Sequence, residues 1–113
     1  MTDCIFCKIA NGEMSVPPVY EDREVFAFAD IAPVAPVHVL IVPKRHIGSA
    51  HELGEADAAL PGKLFAAARK IAEELGIAES GYRLVTNIGP EGGQSVGHLH
   101  LHVIGGRKLK WQH

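Results

Sequence analysis

The stretch Gly93-Gln94-Ser95-Val96-Gly97-His98-Leu99-His100-Leu101-His102-Val103 decides the reading of this chain. Its histidines alternate with aliphatic residues, and strict alternation marks a β-strand with one buried face. On such a strand His98, His100 and His102 face one way, while Leu99, Leu101 and Val103 face the core. Neighbouring histidines then lie about 7 Å apart. That is too far for three rings to share one task and near enough to line one cleft. A glycine-rich turn ending in Gln94 and Ser95 runs directly into the row. Glycine lets backbone N–H groups approach an anion closely. Imidazoles beside such a loop therefore point to phosphate chemistry or to metal binding.

Outward from this strand the chain reads as further short elements. Val37 to Val42 is an apolar, β-branched run ended by Pro43, a central strand. Val19 to Glu21 and Val25 to Ala29 are two shorter strands around a turn at Asp22-Arg23, and Tyr82 to Asn87 is another. The two prolines between Asp30 and Pro36 make that segment a loop. Residues 4–10 read as a short helix stopped by Asn11-Gly12, with Ile5, Phe6 and Ile9 on one face. Residues 57–75 are the only long helix candidate, with Leu60, Leu64, Ala67, Ala68, Ile71 and Leu75 as the apolar stripe and Gly76 as the stop. Pro61 requires that helix to begin within a few residues of it. Strands outnumber helices, and no regular βαβ alternation is present. The expected class is α+β: an antiparallel sheet of about five strands with the helices on one side.

A chain of 113 residues has room for one domain, residues 1–113, and a core this small gains from a dimer. The net charge of −2 offers no basic field for a nucleic-acid polymer, so a small anion must be held by local groups. No apolar run approaches the length needed to cross a bilayer. Asp3 and Cys4 stand where a secretory signal would be basic, which makes the expected location cytoplasmic. Two cysteines do not make a disulfide framework.

The row of alternating histidines followed by the apolar Val103 and Ile104 resembles the signature of the histidine triad (HIT) superfamily. Phe28-Ala29-Asp30-Ile31-Ala32-Pro33, Ala35 to Lys44, Gly81-Tyr82-Arg83 with Asn87, and His102 to Arg107 are similar to its nucleotide-binding, phosphoramidase-type branch. These motifs appear in the right order over nearly the whole chain. The resemblance implies the HIT-like fold and hydrolysis of purine nucleoside 5′-phosphoramidates, such as AMP joined through nitrogen to an amine, with no catalytic cofactor. It assigns the nucleophile to His100, which would carry a covalent nucleotide. A neutral imidazole suits that attack, and near pH 7 most of an unperturbed histidine is neutral. His102 would stabilise charge on the α-phosphate, and His38 on the neighbouring strand would orient the nucleophile or phosphate.

The same resemblance implies the binding contacts. Gly93, Gln94 and Ser95 form a phosphate loop, with Ser95 also serving catalysis, and Asn87 adds a polar contact. Asp30 accepts from the ribose hydroxyls. Ile5, Phe6, Ile9, Phe28, Ile31 and Leu40 line the base pocket. Cys4-x-x-Cys7 lacks the βαβ context of a redox motif but can supply half of a tetrahedral zinc site. With His38, His100 and His102 assigned and His113 terminal, His46, His51 and His98 are the remaining histidines. Bacterial relatives of this type pair such cysteines with the equivalents of His46 and His98 around a structural Zn²⁺; a reduced, metal-free pair is the alternative. In the same branch the C-terminal tail of a homodimer, here carrying Trp111, reaches toward the partner's site, and Arg107, Lys108 and Lys110 would draw in substrate. Two other activities use the same pocket: dinucleoside polyphosphate hydrolysis, and nucleotide- or protein-binding regulation with incidental hydrolysis.

Overall fold

A computed structural model describes residues 4–111. Helix α1 (Ile5–Ala10) is followed by strands β1 (Tyr20–Glu21), β2 (Val25–Ala29) and β3 (Val37–Pro43), helix α2 (Ala59–Glu74), and strands β4 (Tyr82–Val85) and β5 (Leu101–Gly105). Two short 3-10 turns, Ala50–Glu52 and Glu55–Asp57, precede α2. The five strands form one antiparallel sheet in the order β1-β2-β3-β5-β4. The α+β expectation therefore holds, with five strands, one long helix and a short N-terminal one.

Alternation along the strands builds two apolar layers. Val25, Ala27, Val39, Ile41, Leu101 and Val103 pack with Leu60, Leu64, Ala67, Ala68 and Ile71 of α2. The opposite residues, Phe26, Phe28, Leu40 and Val42, pack with Phe6, Ile9 and Ala10 of α1. The helices thus lie on opposite faces, not on one side as the sequence led us to expect. The reason is the sheet's two-faced apolarity: β2 and β3 carry large hydrophobic residues at successive positions, so both faces need cover.

Helix α2 starts at Ala59, which leaves Pro61 in the first turn, where its missing N–H has no intrahelical partner to lose. The helix closes in a Schellman motif. Gly76, at φ +77°, donates to Glu73 O, and Ile77 donates to Ala72 O at 3.0 Å. Leu75 is consequently the exposed C-cap rather than part of the apolar stripe, and Ala72 takes its place.

The histidine strand is shorter than its alternation implies. The sheet ladder of β5 begins at Leu101, so His98 and His100 precede it. Their backbone groups are taken elsewhere. His98 O accepts from the His100 ring at 2.7 Å, His100 O accepts from the Thr86 hydroxyl at 2.7 Å, and Leu99 N–H donates to Ile47 O at 2.6 Å. For the same reason β4 ends at Val85 rather than Asn87, because Thr86 and Asn87 turn their side chains to these loops.

Candidate active site and metal cluster

Residues 98–100 keep the alternation without a ladder, although the chain bends at His98, whose N–H donates to Val96 O at 2.9 Å. Leu99, Leu101 and Val103 sink into the α2 layer, and the three histidines lie on the α1 side. The His100 and His102 rings are 5.1 Å apart, and the Phe6 ring stands steeply inclined to both His98 and His100, with centroids at 6.0 and 5.1 Å. Strand pairing brings β3 alongside, with Leu40 opposite His102 and His38 opposite Ile104.

Hydrogen bonds assign each imidazole a tautomer. His100 Nδ1–H donates to the His98 carbonyl, which leaves His100 Nε2 with an unshared lone pair. On the next strand, Val34 N–H donates to His38 Nδ1 at 3.2 Å, so the His38 proton sits on Nε2. From there it is donated to His102 Nδ1 at 2.9 Å. His102 in turn must carry its own proton on Nε2. Burial holds the His102 pKa down at about 4, with the neighbouring His100 and His38 acting in the same direction and Asp30 opposing. His102 is therefore a neutral hydrogen-bond donor at pH 7. The half-buried Asp30 closes the chain: one carboxylate oxygen accepts from Ala32 N–H at 2.8 Å, and the other lies 3.4 Å from His38 Nε2. A base-poised imidazole beside a donor imidazole can attack a phosphorus and hold its oxygen.

The glycine-rich loop is held from within. Gly93 has φ +84°, and a Cβ on Gly92 would collide with the Ile88 carbonyl, so both positions require glycine. The Gln94 amide is committed to the loop: Oε1 accepts from Gly89 N–H at 2.9 Å, and Nε2 donates to Gly48 O at 2.7 Å and to Val96 O at 2.9 Å. Asn87 Nδ2 donates to Gly92 O at 2.8 Å. Ser95 is exposed beside them. Of the six apolar residues assigned to a base pocket, Phe6, Ile9, Phe28 and Leu40 belong to the buried layer under α1. Ile5 is 44% exposed and Ile31 fully exposed, so neither is a core residue.

Cys4, Cys7, His46 and His98 converge at one point, their donor atoms all within 4.8 Å of one another. Cys4 is the N-cap of α1 and its sulfur accepts from Cys7 N–H, so one helical turn brings both thiols to the same side. His98 Nε2–H donates to Pro43 O at 2.9 Å, which leaves Nδ1 as a bare acceptor. That atom faces Cys4 Sγ at 3.3 Å, Cys7 Sγ at 3.5 Å and His46 Nδ1 at 3.2 Å, and Cys7 Sγ lies 3.2 Å from His46 Nδ1. Tetrahedral Zn²⁺ with ordinary bond lengths sets S···N edges of about 3.6 Å and N···N edges of about 3.3 Å. The donor set and its spacing fit that ion. His51 is exposed, on the Ala50–Glu52 turn, outside the cluster.

Three contributors escaped the sequence. Val34 and Pro43 act through backbone N–H and carbonyl groups, which leave no side-chain signature. Thr86 did carry a signal, as the hydroxyl residue directly after the Tyr82–Val85 strand.

A row of oriented imidazoles behind a glycine loop, on an antiparallel five-stranded sheet, defines the histidine-triad class. The family model described as "HIT domain" matches residues 11–109, and the chain belongs to this family. An uncharacterised HIT-like protein of Synechococcus elongatus is 48% identical over 109 residues, spanning 96% of this chain and 95% of the relative. Among solved structures, a HIT family hydrolase from Clostridium thermocellum superposes with a TM-score of 0.95 at 48% identity, covering 99% of this chain and 97% of that one. A histidine triad protein from Clostridium difficile superposes at 0.96 with 44% identity, covering 100% and 98%. The chain is a HIT family hydrolase-like protein. The family match begins at residue 11, so the two cysteines lie outside it.

Proposed function

We propose that the protein hydrolyses purine nucleoside 5′-phosphoramidates through a covalent nucleotidyl-histidine on His100. The observation that carries this reading is the His100 tautomer: its Nδ1–H is fixed on the His98 carbonyl at 2.7 Å, so Nε2 holds a free electron pair for phosphorus. That pair forms the P–N bond to His100 as the substrate's own P–N bond breaks. The amine departs with the bonding electrons and takes up a proton. Water then cleaves the phosphohistidine, releasing AMP and restoring His100. His102 Nε2–H donates to an α-phosphate oxygen, and His38 holds that tautomer in place. The Gly93 backbone and the Ser95 hydroxyl meet the phosphate, Gln94 shapes the loop they stand on, and Asn87 steadies its far side.

Asp30 takes the ribose hydroxyls with the carboxylate that also faces His38. The purine rests on the apolar layer of Phe6, Ile9, Phe28 and Leu40, with the exposed Ile5 and Ile31 free to close over it. Cys4, Cys7, His46 and His98 hold a structural Zn²⁺ that joins α1 to the loop after β3 and to the start of the triad. The two cysteines, gathered as thiols beside His46 and His98, suit a reducing compartment, the cytoplasm. Among the described residues no helix is long and apolar enough to cross a membrane. The protein works as a homodimer; the unpaired outer edge of β4 and the 82% exposure of Trp111 support this.

The test is a turnover panel of phosphoramidates, dinucleoside polyphosphates and AMP with wild type and His100→Ala. Cleavage of the phosphoramidates, lost in the variant, with a nucleotide trapped on His100 in quenched wild-type reactions, is the expected result. Preferential cleavage of dinucleoside polyphosphates replaces the substrate assignment. Tight AMP binding with no cleavage of any substrate makes the protein a nucleotide-binding regulator.

A further inference from the structure

Beyond the triad, the sheet carries a second feature on the same face. Register places Arg83 of β4 opposite Ile104 of β5, and Ile104 opposite His38 of β3. Directly opposed residues share a face. The intervening set, Leu84, Val103 and Val39, belongs instead to the α2 layer. Arg83 and Ile104 therefore stand on the catalytic face. Arg83 is one ladder step across and two residues along from His102, about 8 Å by sheet spacing. After β5 the chain turns back along this face, and Arg107, Lys108 and Lys110 join Arg83 and Ile104 around one groove that also reaches Val34.

Four cations and no carboxylate line this groove, in a chain whose net charge is −2. None of the four forms an ion pair among the described residues. The two guanidinium groups are nevertheless anchored. Arg83 donates to Lys110 O at 2.5 Å, and Arg107 donates to Val34 O at 2.9 Å and to Lys108 O at 3.1 Å. Val34 is the residue whose N–H fixes His38, so one residue ties the groove to the imidazole pair. Anchoring by neutral carbonyls leaves the charges unneutralised and the remaining N–H groups free for a planar anion.

We propose that this groove binds the anionic part of the substrate's leaving group: a carboxylate, or a phosphate, carried by the group attached to the α-phosphorus. The inference rests on the reading of His100 and His102 as the site of the α-phosphate. The nucleoside lies toward Asp30 and the Phe6–Phe28 layer, so the leaving group points across β5 toward Arg83. The preferred substrates are then nucleotides whose second half is acidic.

Equilibrium binding to the His100→Asn protein tests this without turnover. The probes are AMP joined through nitrogen to glycine, the matching glycinamide, a dinucleoside tetraphosphate and AMP itself. At low salt the glycine compound should bind about tenfold tighter than the uncharged amide, a gap that collapses in 0.5 M salt. Arg83→Gln should remove the gap while leaving AMP binding unchanged, and Lys108→Glu, made separately, should also remove the gap. A gain for the tetraphosphate over AMP that vanishes in the same variants identifies phosphate as the occupant; a gain only for glycine identifies a carboxylate. Equal binding of all four probes overturns the proposal. So does a gap that survives both substitutions, or an equal loss for AMP in Arg83→Gln. If wild type cleaves none of the nucleotides, the catalytic reading fails while this binding comparison still stands or falls on its own.

Discussion

Lowering the pH from 7 to 5 should destabilise the folded protein through His102, and the size of the effect follows from its surroundings. In the unfolded chain this histidine titrates near its ordinary 6.5; in the fold, burial first and then His100 and His38 bring it down to about 4. The sign is fixed by proton counting. Between pH 6.5 and 4 the unfolded chain binds a proton that the folded one refuses, so stability is complete above 6.5 and is lost as pH falls toward 4. Water still reaches the half-buried ring, so the loss from this one group is at most about 2 kcal/mol between pH 7 and pH 5, and at most about 3 kcal/mol well below pH 4. Urea unfolding at the two pH values reads it as a midpoint shift of about 1–2 M. His102→Gln keeps a polar side chain that does not titrate. The difference between the two proteins in their pH dependence therefore isolates this residue, because acid release of a bound metal and the titration of every other histidine contribute to both. If His102→Gln loses as much stability as wild type between pH 7 and pH 5, His102 is not held neutral by burial, and its assignment as a donor fails.

Asp30→Ala should weaken ribonucleotides by about ten- to a hundredfold, the worth of a hydrogen bond to a charged group, and spare 2′,3′-dideoxy analogues; calorimetric titration of both ligand classes reads this, and equal losses remove Asp30 from the ribose. Protein purified without chelator should contain about one zinc per chain, and Cys4→Ser with Cys7→Ser should lose it and melt at lower temperature. In that double variant kcat should fall more than KM rises, because His98 is both a proposed ligand and the bearer of the carbonyl that orients His100; a double variant that keeps its zinc refutes the site.

The sequence made some of this legible because side-chain period and strand geometry share a number. His98-Leu99-His100-Leu101-His102 alternates, and the chain keeps that alternation as two faces even through the bend at His98, where no ladder formed. Cys4-x-x-Cys7 was equally plain, since one helical turn suffices to gather the thiols. What alternation cannot encode is where a backbone group finds its partner. The early end of the ladder depends on Thr86 and Ile47, residues 14 and 52 positions away from the groups they bind. The opposite placement of the helices was hidden for a related reason: α1 is too short for its stripe to state a partner, and only the apolarity of both faces of β2 and β3 demands a second layer. In the sequence Arg83 stands out only as part of the Gly81-Tyr82-Arg83 motif at the start of a strand. Its company with Arg107, Lys108 and Lys110 exists only once β5 has returned beside β4.

Three residues of one type, two apart, are thereby given three different chemistries, and in each case the deciding factor is which ring nitrogen is already engaged. His98 gives its Nε2 proton to Pro43 and turns a bare Nδ1 toward two sulfurs and a second imidazole. His100 gives its Nδ1 proton to the carbonyl of His98 and presents a bare Nε2. His102 receives at Nδ1 from His38 and presents a protonated Nε2. Candidate ligand, base-poised nitrogen and donor differ by one hydrogen bond each. Swapping the identities of the three histidines would change nothing, since they are the same residue, whereas moving Pro43, His98 O or His38 would change the role of the ring it contacts. The chemistry of the row is accordingly written in the β3 strand and the backbone beside it, as much as in the histidines themselves.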